Sequence, residues 1–226
     1  MDIKSMHYEF KLGFNKLDSN DRREYLVPEI DVLLNIAQDK FINRHIPYFD
    51  RNRGVEFNQR SIENLRTLVV KQQSWVPITN HYAQLPQGYR YYISSHVLAK
   101  SCGEEREIRT TVYQHDDVLG EFDSPSYEWG HVPIRFTEQG VRVYSEGFSV
   151  SGIRFTFLRH PKWMHNAEDW NGSGYNYNGE TYTGTQDCEL PEIAHREIVD
   201  LAVMLAAESS DSPVVDNKMQ RLQLNN

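Results

Sequence analysis

The spacing of the apolar residues changes twice along this chain, and that change limits the folds open to it. At Ile153, Phe155 and Phe157 apolar side chains fall at every second position, which puts them on one face of a strand. At Ile30, Leu33, Leu34, Ala37 and Phe41 they fall three, one, three and four apart, the spacing of one helix face. Strand-like segments fill the middle of the sequence and helical ones lie on both sides. Such segregation predicts an α+β fold, with N-terminal helices, a central antiparallel β-sandwich or barrel-like unit, and a C-terminal helix followed by an extended tail.

The punctuation residues give the boundaries. Residues 1–26 are polar and mixed in charge, contain Gly13 and the run Asp18-Ser19-Asn20-Asp21-Arg22-Arg23, and read as an extended N-terminal arm. A single α+β body is expected over 27–208. Its first helix, 28–46, begins at Pro28, whose fixed φ suits the first helical position, and ends before Pro47. A second helix, 58–75, carries Ile62, Leu65 and Val69 on one side and stops at Pro77.

The β unit, 89–158, opens with strands over 89–99 and 106–115, separated by Ser101-Cys102-Gly103-Glu104. Further strands are expected over 131–136, 141–144, 148–150 and 152–158, with turns at Gln139-Gly140, Glu146-Gly147 and Ser151-Gly152. Residues 166–187 hold the turn residues of a long exposed loop. A last helix, 191–208, starts at Pro191, with Ile193, Ile198, Leu201, Ala202 and Leu205 as its apolar stripe, and residues 209–226 form the C-terminal tail.

Composition removes several classes of function. At 226 residues with 39% hydrophobic content and a mean hydropathy of −0.65, the chain reads as a soluble protein. No apolar run nears the roughly 20 residues that cross a bilayer, and the first residues lack the apolar core of a secretory signal. A net charge of −8 argues against general affinity for phosphate backbones, which requires Lys and Arg to displace counterions. Two cysteines, Cys102 and Cys188, are too few for a disulfide framework and read as free thiols.

The chemistry-bearing motifs are missing. The sequence holds no G-x-S-x-G, H-E-x-x-H, G-x-x-x-x-G-K-[ST] or strand-borne G-x-G-x-x-G, so acyl transfer, zinc hydrolysis and nucleotide binding lose their usual signatures. Of nine histidines, only His160 and His165 are close, and five positions apart suits neither a helical nor a strand ligand pair. The acidic run Asp116, Asp117, Glu121 and Asp123 reads as a charged turn, because paired catalytic carboxylates need a spatial separation that sequence does not supply. No catalytic residue and no cofactor are expected.

One motif is sharper. Asp169, Asn171, Ser173, Gly174 and Glu180 fall at positions 1, 3, 5, 6 and 12 of a calcium loop, where oxygen donors alternate and a terminal Glu chelates. Thr181-Tyr182-Thr183-Gly184 cannot be the exiting helix, however, and Asn176 stands where an apolar anchor belongs. A plain surface loop is the preferred reading, with calcium secondary. The same loop displays Trp170, Tyr175, Tyr177 and Tyr182, which suggests a carbohydrate- or receptor-binding tail module as the alternative function.

The order of segments adds a resemblance. The helix from Glu29 to Ile42, the segment Arg60 to Leu68, the strand ending Phe157-Leu158-Arg159-His160-Pro161-Lys162, and the helix from Leu190 to Val203 followed by Glu208-Ser209 together resemble structural proteins of crAss-like phages. The resemblance implies a virion protein assembled in the host cytoplasm: one ring of the head-to-tail connector, next to the portal, in a family whose connectors are twelve-fold. Its partners would be copies of itself, the portal, and other ring and tail proteins. DNA would pass through the channel without specific binding. A closed ring needs two different surfaces per subunit, and lumenal acidic residues would keep DNA from sticking. In the tail, Val214, Val215, Met219, Leu222 and Leu224 stand among polar residues, too few to fold alone, and such segments order on partners. Met219 and Leu222 are the expected contacts.

Overall fold

In the computed structural model, residues 1–17, 24–46, 63–113 and 125–209 are described. Asp116, Asp117, Glu121 and Asp123, the start of the second expected helix at 58–62, and Met219 and Leu222 in the tail lie outside them. The chain forms two compact units, one of Leu68–His160 and one of Met1–Thr67 with Pro161–Asn226.

The first unit is one curved sheet. Its strands are β1 (Val69–Lys71), β2 (Val76–Pro77), β3 (Tyr82–Ala83), β4 (Tyr89–Ser101), β5 (Glu104–Val112), β6 (Val132–Thr137), β7 (Gly140–Val143) and β8 (Ser149–Arg159). The order across it is β1-β8-β4-β5-β6-β7-β3, with β2 also on β8, and the sheet closes into a half-barrel rather than a sandwich. Antiparallel pairing prevails, but β5 and β6 run parallel from Thr110↔Val132 to Val112↔Ile134. The alternation at Ile153, Phe155 and Phe157 holds: all three are buried, beside Val97, Ile108, Val132, Ile134 and Val141. Curling the sheet lets one apolar face bury itself.

Two expectations in this unit are corrected. The strands foreseen over 148–150 and 152–158 are one strand, β8, which runs through Ser151-Gly152 without a turn. Gly152 is there for space, because a Cβ would stand 3.0 Å from Trp75 Cβ and 3.3 Å from the Val76 carbonyl oxygen where β2 crosses. The helix expected to reach residue 75 gives way earlier. A helical turn at 63–65 tightens into a 3-10 turn at Arg66–Leu68, and Val69 and Val70 then pair with Leu158 and Phe157. Cross-strand packing of two β-branched residues overrides the helical spacing.

Among the described residues, the long helices of the second unit are α1 (Ile3–Leu17), α2 (Val27–His45) and α3 (Glu192–Ser209). Among the described residues no helix is long and apolar enough to cross a membrane. The arm expected over 1–26 is thus largely helix. Asp2 caps it by accepting the Ser5 N–H at 2.9 Å, and Ile3, Met6, Phe10 and Phe14 are buried along one face. Gly13, read as a loop residue, is where α1 meets α3: a Cβ there would stand 3.0 Å from Val203 Cγ2. Glu29 on α2 reaches back to accept the Leu26 N–H at 2.9 Å, half of a capping box.

Ile193 departs from the stripe expected on α3 and is exposed, while Ala194, Ile198, Leu201 and Ala202 are buried. The expected long loop is partly ordered as short strands. Here β9 (His165–Asn166) pairs with β12 (Thr185–Gln186), and β10 (Tyr175–Tyr177) forms a hairpin with β11 (Glu180–Tyr182).

Candidate functional site

The buried face of α2 carries Asp31, Asn35 and Gln38 among its apolar residues, an arrangement the sequence reading passed over. Asp31 is fully buried. Its Oδ1 lies 2.7 Å from His7 Nε2 on α1, its Oδ2 accepts the Tyr175 hydroxyl at 2.7 Å, and the carboxylate also accepts the Asn166 N–H at 3.1 and 3.2 Å. Asn35 Nδ2 donates at 2.7 Å to the carbonyls of Asp31 and Met164, and Asn35 Oδ1 accepts the Met164 N–H at 2.9 Å. Burial, then the bond to Asp31, pushes the Tyr175 hydroxyl strongly up and keeps it neutral. A carboxylate beside a histidine and a tyrosine resembles catalytic machinery in composition only. All three are buried, and the bonds tie α1, α2, β9 and β10 together. This is a structural hub.

The calcium-loop residues lie on different elements, with Asp169 ending a 3-10 turn (Ala167–Asp169) and Glu180 opening β11. Asp169 Oδ2 accepts from Asn166 Nδ2 at 2.7 Å, and Lys4 Nζ lies 3.6 Å from Oδ1; the Asn166 bond, then Lys4, holds this carboxyl below the ordinary aspartate range against a smaller effect of burial. Glu180 lies in β11, opposite Tyr177, and accepts the Tyr182 hydroxyl at 2.8 Å. Asn171 sits at φ 51° in the turn before Gly172, and Ser173 is exposed beside it. Both carboxylates already have protein donors, a short 3-10 turn leads into the loop, and β11 stands where the exiting helix would begin. Among the described residues no group of three or more His, Cys, Asp or Glu could hold a metal ion.

Tyr175, Tyr177 and Tyr182 pack in one aromatic cluster with Trp163. Trp163 lies 5.2 Å from Tyr177 and 5.9 Å from Tyr182, at interplanar angles of 27° and 28°, and Tyr182 lies 5.5 Å from Tyr175. These contacts commit part of each ring's surface to a neighbouring ring. The sequence reading missed Trp163 as the centre of the stack, because it lies outside the loop in sequence.

A different aromatic stands out in the half-barrel. Trp129 is 84% exposed, yet its turn is held from all sides. Ser126 and His131 exchange two main-chain bonds of 2.8 Å, the Trp129 N–H donates to Ser126 Oγ at 3.2 Å, and the Gly130 N–H donates to the Tyr127 carbonyl at 3.3 Å. Arg106 Nη1 donates to the Tyr127 and Glu128 carbonyls at 3.2 and 3.3 Å, and the Tyr127 hydroxyl donates to the Glu104 carbonyl at 3.2 Å. The backbone under this exposed indole is thus already ordered by hydrogen bonds. Gly130, the next residue, lines a shallow open depression with Ile93, Thr111 and Val112.

The chain matches no protein-family model and no curated protein sequence.

Proposed function

We propose that this chain is a non-enzymatic structural subunit, one ring of a head-to-tail connector of the type found in crAss-like phages. The observation that carries the reading is Trp129, displayed on its braced turn. A second apolar contact, Ile193 on α3, is 73% exposed and belongs to the other compact unit. Two unlike contact surfaces on one chain are what a head-to-tail ring requires. The interior polar groups support the same reading, because Asp31, His7 and Tyr175 are committed to holding elements together. The order of segments resembling that phage group supplies the specific setting, and a net charge of −8 suits a channel that DNA must traverse without sticking.

Light scattering and negative-stain imaging of the purified full chain test this. A closed ring with a central hole and a mass near twelve times 26.5 kDa is the expected outcome. A protein that remains at 26.5 kDa at every concentration and in the presence of a portal overturns it.

A further inference from the structure

Strands β4 and β5 pair from Ser101↔Glu104, next to their turn, to His96↔Arg109 and then part. Beyond Arg109, β5 takes β6 as its neighbour, while β4 continues toward Tyr89 along β8. On the side that β5 has left, Tyr92 to Ser95 have no strand neighbour among the described residues. Hydroxyls pin the parting point. Thr110 Oγ1 lies 2.5 Å from Ser95 Oγ, donates to the Ser95 carbonyl at 3.1 Å, and lies 3.4 Å from the Tyr92 hydroxyl.

Past this pin the sheet forks, and the open depression described above lies in the fork, with Tyr92 and Ile93 on one side and Thr111 and Val112 on the other. Ile93 is 47% and Val112 38% exposed, so each branch presents an apolar side chain to solvent. A fork of this kind suits an extended segment, which supplies main-chain partners to a strand and side chains at alternate positions.

We propose that the fork receives residues 214–226 of a second copy of this chain, with Leu222 and Leu224 seated against Ile93 and Val112. Leu222 and Leu224 are separated by Gln223, so in extended chain both point to one face, about 7 Å apart. Reach permits an exchange between subunits: from Ser209, the last described residue, extended chain can carry Leu222 roughly 45 Å away. The choice of a second copy rests on the connector reading, in which each subunit of a ring can supply one segment and one fork.

Disulfide trapping in the full chain tests the proposal. In a Cys102→Ser background, Leu222→Cys and Val112→Cys are combined and mildly oxidised, with each single substitution as control; Cys188 is buried. Covalent multimers on a non-reducing gel are expected from the combined variant only. A link mapped within one chain, or no link, overturns the exchange. Leu222→Asp with Leu224→Asp, in otherwise native chain, is expected to lower the mass in solution while leaving the circular dichroism spectrum unchanged; unchanged mass also overturns it. Rings that form without cross-links sink this inference and leave the connector reading standing. Cross-linked pairs without rings uphold the docking and sink the connector reading.

Discussion

Asp31 shows how one side chain can tie two helices and two short strands together. A buried carboxylate is tolerated only where donors surround it, and here His7, Tyr175 and the Asn166 N–H do so. Asp31→Ala strands those donors, and the expected loss is about 1–3 kcal/mol or more in urea unfolding, the range for leaving a buried hydrogen-bonding group unsatisfied. A loss under 1 kcal/mol would remove the hub from the account.

Protonation gives a second residue-level prediction. Burial pushes the Cys188 thiol up to about 11, and burial pushes the Tyr89 and Tyr182 hydroxyls to about 12, with smaller contributions from Tyr92 and Glu180 respectively. A group whose folded pKa lies above its unfolded value contributes stability that is complete below the unfolded value and is lost as pH rises through the folded one. The melting temperature is therefore expected to hold up to about pH 8, below the ordinary thiol value, and to fall steadily above it. Asp2 and Asp169 are depressed, Asp2 chiefly by its bonds to Ser5, so their contribution is lost at the other extreme, as pH falls below the ordinary aspartate value. Thiol titration at pH 8 should find exposed Cys102 fast and buried Cys188 slow.

At the scale of elements, α1 is the largest difference between expectation and structure. Its buried face makes Phe10 a core residue, packed at 5.7 Å against Tyr25. Phe10→Ala should cost about 3–5 kcal/mol, whereas Leu12→Ala, at a position 41% exposed, should cost under about 1 kcal/mol. Equal small effects would return the segment to an arm. The β6–β7 hairpin depends on Gly140, which has φ +127° and would bring a Cβ to 2.3 Å from the Ala83 carbonyl oxygen. Gly140→Ala is expected to destabilise by roughly 1–3 kcal/mol, read from thermal unfolding, by forcing β3 away from β7.

For the whole molecule, the assembly reading predicts that contacts can fail while the fold survives. Trp129→Ala removes a large exposed apolar side chain and no described hydrogen bond of its side chain, so melting should shift little while ring formation drops. Deleting 214–226 should behave the same way. Loss of folding in either variant would mean that the segment belongs to the core of its own subunit.

Local pattern made much of this protein legible from sequence. The period-two run at Ile153, Phe155 and Phe157, Pro28 and Pro191 at helix starts, and the stripe on α2 are statements about neighbouring residues, and each describes the element that formed. Tertiary contact decided the rest. Gly13 and Gly152 read as loop and turn because glycine has those uses, yet both are cleared for a neighbour that only the fold brings close. Val69 and Val70 leave a helical pattern because β8 offers them partners. Asp31, Tyr175 and His7 stand far apart in sequence and share no motif, so their meeting is invisible until helices and hairpin pack. The fork behind Thr110 was equally hidden, since a parting of strands depends on which strand each one takes as its next neighbour, a choice set by pairing across the sheet.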